Sequence, residues 1–271
     1  MSPSKLLRST CAAFLCTLFL AGLFAGGVTH YSYATQFREA PNAAPSTAHV
    51  FGTDGLGRDL FARVLYGTRV SLVLAPAAAL LSTIIAGVFG SFAGFMGGWF
   101  ETLILATADL SMALPLLFVL LALRALLPLN IDPIVSVVVT FILLGLLGWP
   151  ASLRVVCAAS QNLRNSDFLL LAHATGCPRW RIILRHVLPN LRPVLLAQFW
   201  ISIPLYVLTE ATLSMLGLGV MEPLPSWGNL LRGLEDFSVV HANPWRALPL
   251  VLLVVVVISF QLILPAQEEI A

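Results

Sequence analysis

From Val70 to Met96 the sequence carries no charged side chain, and residues 133–149 and 247–264 are uncharged as well. Runs of this length have few folded solutions. Wound as helices of ~20 residues they cross a hydrocarbon core with every backbone N–H and C=O paired inside the segment. The composition agrees: 58% of the 271 residues are hydrophobic and 10% charged, with a mean hydropathy of +0.91, outside the range of soluble domains. The chain is therefore read as an integral membrane protein of the all-α class, a polytopic helix bundle. Spans are expected at about 70–96, 99–123, 133–149, 193–216 and 246–264, with a sixth inside residues 1–30.

In that first segment Lys5 and Arg8 precede CAAFLCTLFLAGLFAGGV, which fits either a secretory signal or a retained anchor. The run is long for a signal core and no clean small-x-small cleavage site follows it, which favours the anchor. Orientation comes from the basic residues. Lys5 and Arg8 put the N-terminus in the cytoplasm, and six crossings return the C-terminus to the same side. The same count puts residues 150–192 inside, where Arg154, Arg164, Arg179, Arg181, Arg185 and Arg192 stand against one acid, Asp167. The presumed outer segments, 29–69 and 217–245, mix their signs: Arg38, Arg58, Arg63 and Arg69 with Glu39, Asp54 and Asp59, and Arg232 with Glu222, Glu235 and Asp236. The expected organisation is an anchor over 1–30, a periplasmic loop over 31–69, and a transmembrane domain over 70–265 that includes the inner loop 150–192.

Within the first outer loop, REAPNAAPSTAH reads as irregular chain. Phe61, Val64 and Leu65 then fall at i, i+3 and i+4 with Leu60 beside them, while Asp59 and Arg63 form an i, i+4 pair on the other face. This predicts a short amphipathic helix lying at the outer interface; the alternative is a plain extension of the next span.

The inner loop has its own pattern. Asn165, Ser166 and Asp167 offer acceptors for a helix start, Phe168 to Thr175 can form two turns, and Gly176 breaks them. Pro178 suits the first position of a second helix, in which Trp180, Ile183, Leu184 and Val187 share an apolar face, Arg181 and Arg185 line another, and Pro189 ends the pattern. By periodicity alone this helix fits two settings: the inner leaflet, with arginines on anionic headgroups, or a groove on a cytoplasmic partner.

The order Ala172, Gly176, Leu188, Pro189 resembles the EAA loop of ABC importer permeases. FGTDGLGRDLFARVLYGTRVSL (51–72) and EATLSMLGLGVMEPLPSWGNLL (210–231) are similar to the corresponding segments of the dipeptide/oligopeptide/nickel permease family, in its C-type subunit. With the six spans, the likeness covers most of the chain. Leu170 and Leu171 stand where the loop motif has Glu and Ala, and His186 where the general motif has Ile; the sequence closes on LPAQEEIA, without the family's basic tail. The resemblance implies the architecture of a type I ABC importer permease in a bacterial inner membrane, serving peptides or similar small solutes. It implies a homologous second permease, two cytoplasmic ATPase subunits that hold ATP and Mg, and an extracytoplasmic solute-binding protein. It also assigns ATPase docking to Ala172, Gly176, Arg179, Trp180, Arg181, Ile183, Leu184, Arg185 and Pro189.

Enzyme chemistry finds no footing. No GxxxxGK[ST] occurs and Lys5 is the only lysine, so the chain has no Walker-type phosphate loop, and the glycines of TDGLGRDL read as a turn. His30, His49 and His241 have no ligand spacing and, with His173 and His186 of the inner loop, are read as surface residues. Cys11, Cys16, Cys157 and Cys177 contain no Cys-x-x-Cys pair and are read as unpaired small residues. No cofactor is expected in this chain, no catalytic triad is recognisable, and nothing points to nucleic acid. Asp109 and Glu210 lie inside spans, where a carboxylate must face a partner helix, a polar cavity or water. They either line a path or fix helix packing. They also support a rival reading, a secondary transporter or channel moving protons or ions; a third is an assembly scaffold with no path. Pro115, Pro204 and Pro249 can bend their helices.

Overall fold

The computed structural model describes residues 3–126, 128, 132–235 and 237–263; Asp236 and the closing segment 264–271 lie outside them. In chain order the helices are α1 (Pro3–Leu23), α2 (Ala25–Val28), α3 (Leu60–Met96), α4 (Gly98–Ala113), α5 (Leu116–Ala125), α6 (Pro133–Leu147), α7 (Trp149–Arg164) and α8 (Asp167–Ala174), then α9 (Arg179–Ile182), α10 (Leu188–Asn190), α11 (Arg192–Met215), α12 (Trp227–Arg232), α13 (Phe237–Ala242) and α14 (Leu248–Ile263). Among the described residues there is no β-strand, only the isolated bridges Gln36–Arg58 and Thr53–Asp59. Five helical segments are long and apolar enough to cross a membrane, or six if the bent pair α4–α5 is one span. The fold is the all-α polytopic bundle that the apolar runs require.

The boundaries differ from the expectation in three places. The outer amphipathic piece is not a separate interfacial helix: Leu60 opens α3, which runs unbroken for 37 residues. Its polar face is not solvated either, because Asp59 and Arg63 are both buried and bind other partners. The third span is broken. Leu114 takes the extended backbone that a residue before proline prefers, and α4 and α5 meet across Pro115 at 76°. The fourth span does not stop at 149. Gly148 keeps a helical conformation and Pro150 falls in the first turn of α7, where its missing N–H is harmless, so Pro133–Arg164 forms one 32-residue segment and the inner loop begins at Asn165. Pro76 and Pro204 sit inside α3 and α11 without ending them.

The chain divides into two compact units. The first comprises Met1–Ala75, Leu123–Phe141 and Pro204–Ala271. Here α14 packs against α1 and α12. Only 11% of the α1 span is buried by the chain, so most of its surface is left for lipid or other subunits. Trp227 is fully buried and anchors α12 to α3: its indole Nε1 donates to Thr68 Oγ1 at 3.0 Å and its backbone N–H to Ser71 Oγ at 3.3 Å.

The second unit comprises Pro76–Ala122 and Ile142–Ile203. Its helices approach closely through small residues, the usual solution where lipid gives helices no hydrophobic reason to associate. A Cβ on Gly90 of α3 would stand 3.0 Å from Leu153 O and Val156 Cβ of α7; one on Gly94 would strike the Cys157 carbonyl and come within 2.8 Å of Ser160 Cβ. Ser160 Oγ donates to Ser91 O at 3.0 Å across the same seam. Ala86, Ala108 and Leu153 close a second contact between α3, α4 and α7.

Gly94→Val is therefore expected to wedge α3 from α7 and destabilise the folded chain by roughly 1–3 kcal/mol. Gly27→Ala, with open space around the added methyl, is expected to stay within about 0.5 kcal/mol of the parent. Thermal unfolding of the detergent-solubilised chain checks both; equal midpoints for the two variants would refute the close contact.

Candidate functional site

The inner loop folds as a helix, a left-handed turn and a second helix, and its ends are set locally. Ser166 does not cap α8 with its side chain; its hydroxyl donates backwards to Leu163 O at 2.6 Å. At the far end Thr175 N–H reaches Leu171 O at 3.0 Å and Cys177 N–H reaches Ala172 O at 3.2 Å, which satisfies two of the last four carbonyls of α8. Gly176 between them has φ +74° with no atom near the position of a Cβ, so the backbone conformation and not lack of space calls for glycine.

Pro178 stands one residue earlier than expected, as the cap of α9, with ψ 143° and its carbonyl accepting from Arg181 N–H at 2.9 Å and Ile182 N–H at 3.2 Å. Pro189 does not end the second helix. Between α9 and α10 lies a π turn, Ile183–Val187, in which Leu188 N–H bonds Ile183 O; Pro189 follows in the first turn of α10, where it interrupts no α-type ladder. The wider turn rotates the faces of the helix. Ile182, Ile183, Val187 and Leu191 point inward and pack with Leu169, Phe95 and Val156, with Ala172 and Cys177 at the edge of the cluster. The apolar face expected from 3.6-residue spacing is thus divided. Ile183 and Val187 are core, while Trp180 and Leu184 are 55% and 48% exposed, and Ile182, absent from the expected face, is core.

What remains outside is a cationic and aromatic surface. Arg179, Arg181 and Arg185 are exposed, and Arg181 Cζ lies 5.3 Å from the centre of the Trp180 ring. Leu171 and Phe168 add apolar surface from α8. Pro189 is half-buried. Such a surface, mounted on a packed core, can seat in a groove with an acidic rim, since Trp and Arg are the side chains that most often anchor protein contacts.

The two carboxylates of the spans have separate fates. Asp109, in the second unit, pairs with Arg154 at 3.1 Å, both half-exposed. Glu210, in the first unit, is fully buried and accepts from Ser214 Oγ at 2.6 Å and Ser226 Oγ at 2.7 Å. Ser226 in turn caps α12 reciprocally with Asn229. Glu210 thus holds the 217–226 loop against α11.

The string at 51–72 is also a packing device. Asp54 accepts from Leu56 and Arg58 N–H, each at 2.9 Å, and from Arg58 Nε at 2.7 Å; Gly57 closes that turn with φ +72°. Arg58 and Arg63 both donate to Glu222, at 2.6 and 2.8 Å. His49, expected at the surface, is buried with Nδ1 2.8 Å from Asp59 Oδ2. Cys157 belongs to α7 and not to the loop, and all four cysteines are free. Sequence reasoning passed over Arg124. Its buried guanidinium donates to Leu218 O at 2.8 Å, Gly219 O at 2.7 Å and Ser136 Oγ at 2.9 Å. A single arginine set against an uncharged run was the signal for it.

The family described as "Binding-protein-dependent transport system inner membrane component" matches residues 86–267. The oligopeptide transport system permease protein OppC of Bacillus subtilis is 33% identical over 229 residues, 84% of this chain and 72% of that protein. The dipeptide transport system permease protein DppC of Alkalihalophilus pseudofirmus is 32% identical over 248 residues, 91% of this chain and 79% of that one. DppC of Bacillus subtilis is 30% identical over 230 residues, covering 84% and 69% respectively.

Stability should separate the two faces of the inner helix. Ile182→Ala is expected to cost about 2–5 kcal/mol, as for a buried large-to-small change, and Trp180→Ala less than about 1 kcal/mol. Denaturation midpoints of the purified variants provide the check; a larger loss for Trp180→Ala would reverse the assignment of faces.

Proposed function

The chain belongs to the family of binding-protein-dependent transport system inner membrane components, and from that premise we propose that it carries peptides or similar small solutes into the cell. It is a multi-pass permease subunit of an ATP-driven importer and not an enzyme; hydrolysis belongs to a separate chain. In the proposed assembly it pairs with a homologous permease, receives solute from an extracytoplasmic binding protein, and is driven by two cytoplasmic ATPase subunits that hold ATP and Mg. Both termini then face the cytoplasm, consistent with the excess of arginine from Arg164 to Arg192.

ATPase docking is assigned to the inner helix pair: Ala172 in the supporting cluster, Gly176 at the turn, Ile183 in the core, Pro189 after the π turn, and Arg179, Trp180, Arg181, Leu184 and Arg185 outward. One observation carries this reading. An exposed Trp–Arg surface sits on a helix whose opposite side packs on the end of α3 through Phe95 and on the middle of α7 through Val156, so a push on the surface is passed to the spans and not absorbed by a loose loop. The chain then switches between inward- and outward-open states as the ATPases close and part.

Arg181→Glu and Trp180→Ala, made in the full transporter and reconstituted in vesicles, are expected to lower ATP-driven peptide uptake by at least about tenfold, as hot-spot losses do, with normal membrane insertion. Pull-down of the ATPase subunits by the permease should fall in parallel. Unchanged uptake in both variants would remove the docking role.

A further inference from the structure

α4 and α7 lie side by side with two polar rungs between them: Gln161 Nε2 donates to Glu101 Oε1 towards the Gly98 end, and Arg154 Nη2 pairs with Asp109 Oδ1 at 3.1 Å. Behind the second rung the seam is apolar. Ala108 and Leu153, the chain neighbours of the two charged residues, are fully buried with Ala86. The pair itself lies on the outer side of the seam, with 51% of the Asp109 and 53% of the Arg154 side chain uncovered.

Depth makes that exposure informative. At 1.5 Å per residue Asp109 stands ~16 Å along its helix from Gly98 and Arg154 ~15 Å from Arg164, so both lie well inside helical segments apolar enough to span. Charges at that depth are costly against lipid and are found facing a cavity or protein. The adjoining backbone makes the same demand independently. α4 stops at Ala113 and the chain turns through 76° into α5. The last carbonyls of α4 therefore lack partners within the helix, and residues 111–115 are all exposed. Broken backbone at this depth persists only against protein or beside water. Water is the better match, because two charged side chains stay half-uncovered here and the core of a protein interface is depleted of charge. Ala106 on α4 and Ala151 and Ala158 on α7, each about one turn from the pair, are exposed beside it.

We infer that the Asp109–Arg154 pair lines a hydrated route through the membrane and is a contact point for the charged groups of peptide cargo, an inference that rests on the peptide-importer reading. A peptide is zwitterionic: its ammonium can take the place of Arg154 on Asp109, and its carboxylate that of Asp109 on Arg154. A half-solvated ion pair gives up little when it opens, so the exchange suits a surface that cargo must pass and not remain on.

The intact transporter carrying Ala106→Cys or Ala158→Cys, in proteoliposomes, is exposed to a charged, membrane-impermeant thiol reagent, and modification at each position is read by mass spectrometry. Both sites are expected to react, several-fold more slowly when a transported peptide is present. Reaction with an apolar maleimide alone would put the face in lipid, and silence with and without ATP would bury it in another subunit; either result overturns the hydrated route. Uptake of an acidic and a basic tripeptide is then compared. Asp109→Asn is expected to raise the acidic-to-basic ratio by about tenfold and Arg154→Gln to lower it by as much, opposite changes that a purely structural role would not produce. Equal losses for both peptides would overturn the cargo contact. Absence of any peptide uptake by the unaltered complex would instead overturn the peptide reading, while the labelling result, which needs no transport, stands apart from it.

Discussion

Hydrocarbon offers a polar group no hydrogen bond, and that constraint decides where the charges of this chain go. Arg124 answers it by turning its guanidinium onto the carbonyls of Leu218 and Gly219 and the hydroxyl of Ser136. Glu210 answers it with two serine hydroxyls. Each side chain thereby fastens a loop to a helix, so the 217–226 connection is held at both ends by polar groups that could not be left bare. The outer network of Asp54, Arg58, Arg63 and Glu222 does the same where α3 begins.

Close packing follows from the same solvent. With lipid tails as apolar as leucine, helices gain by approaching until backbone meets backbone, which only small residues permit. The Gly90–Gly94 face of α3 against α7 is such a contact, tightened by the Ser160 to Ser91 hydrogen bond. It places Phe95 and Val156 where the inner helix pair can rest on them. The stiffness of the inner surface thus begins with two glycines inside a span. The π turn completes it: one additional residue per ring lets Ile182, Val187 and Leu191 all reach that core, and leaves Trp180 and the arginines outside.

Much of this was legible in the residues. Uncharged runs specify membrane helices because no other structure satisfies their backbone in lipid, so fold class and the approximate spans follow without coordinates. The helix break at Gly176 is equally local, since a left-handed backbone position favours glycine over every other residue. The likeness of the 172–189, 51–72 and 210–231 strings placed the chain in its family for a further reason: ordered strings of this length seldom arise by chance.

Facing and partnership were decided only in three dimensions. A period of 3.6 residues put Trp180 and Leu184 in the core, but a π turn has a different period, and local spacing carries no sign of it. Asp59 and Arg63 look like an exposed i, i+4 pair, yet their partners, His49 and Glu222, are separated from them in sequence by ten and 159 residues. Whether a carboxyl group in a span is locked, as that of Glu210 is, or open, as that of Asp109 is, depends on which helices stand beside it. Sequence alone determined that this chain lives in a membrane as helices, because that is a property of each segment by itself; the tertiary structure determined which faces are left to act, because that is a property of how the segments meet.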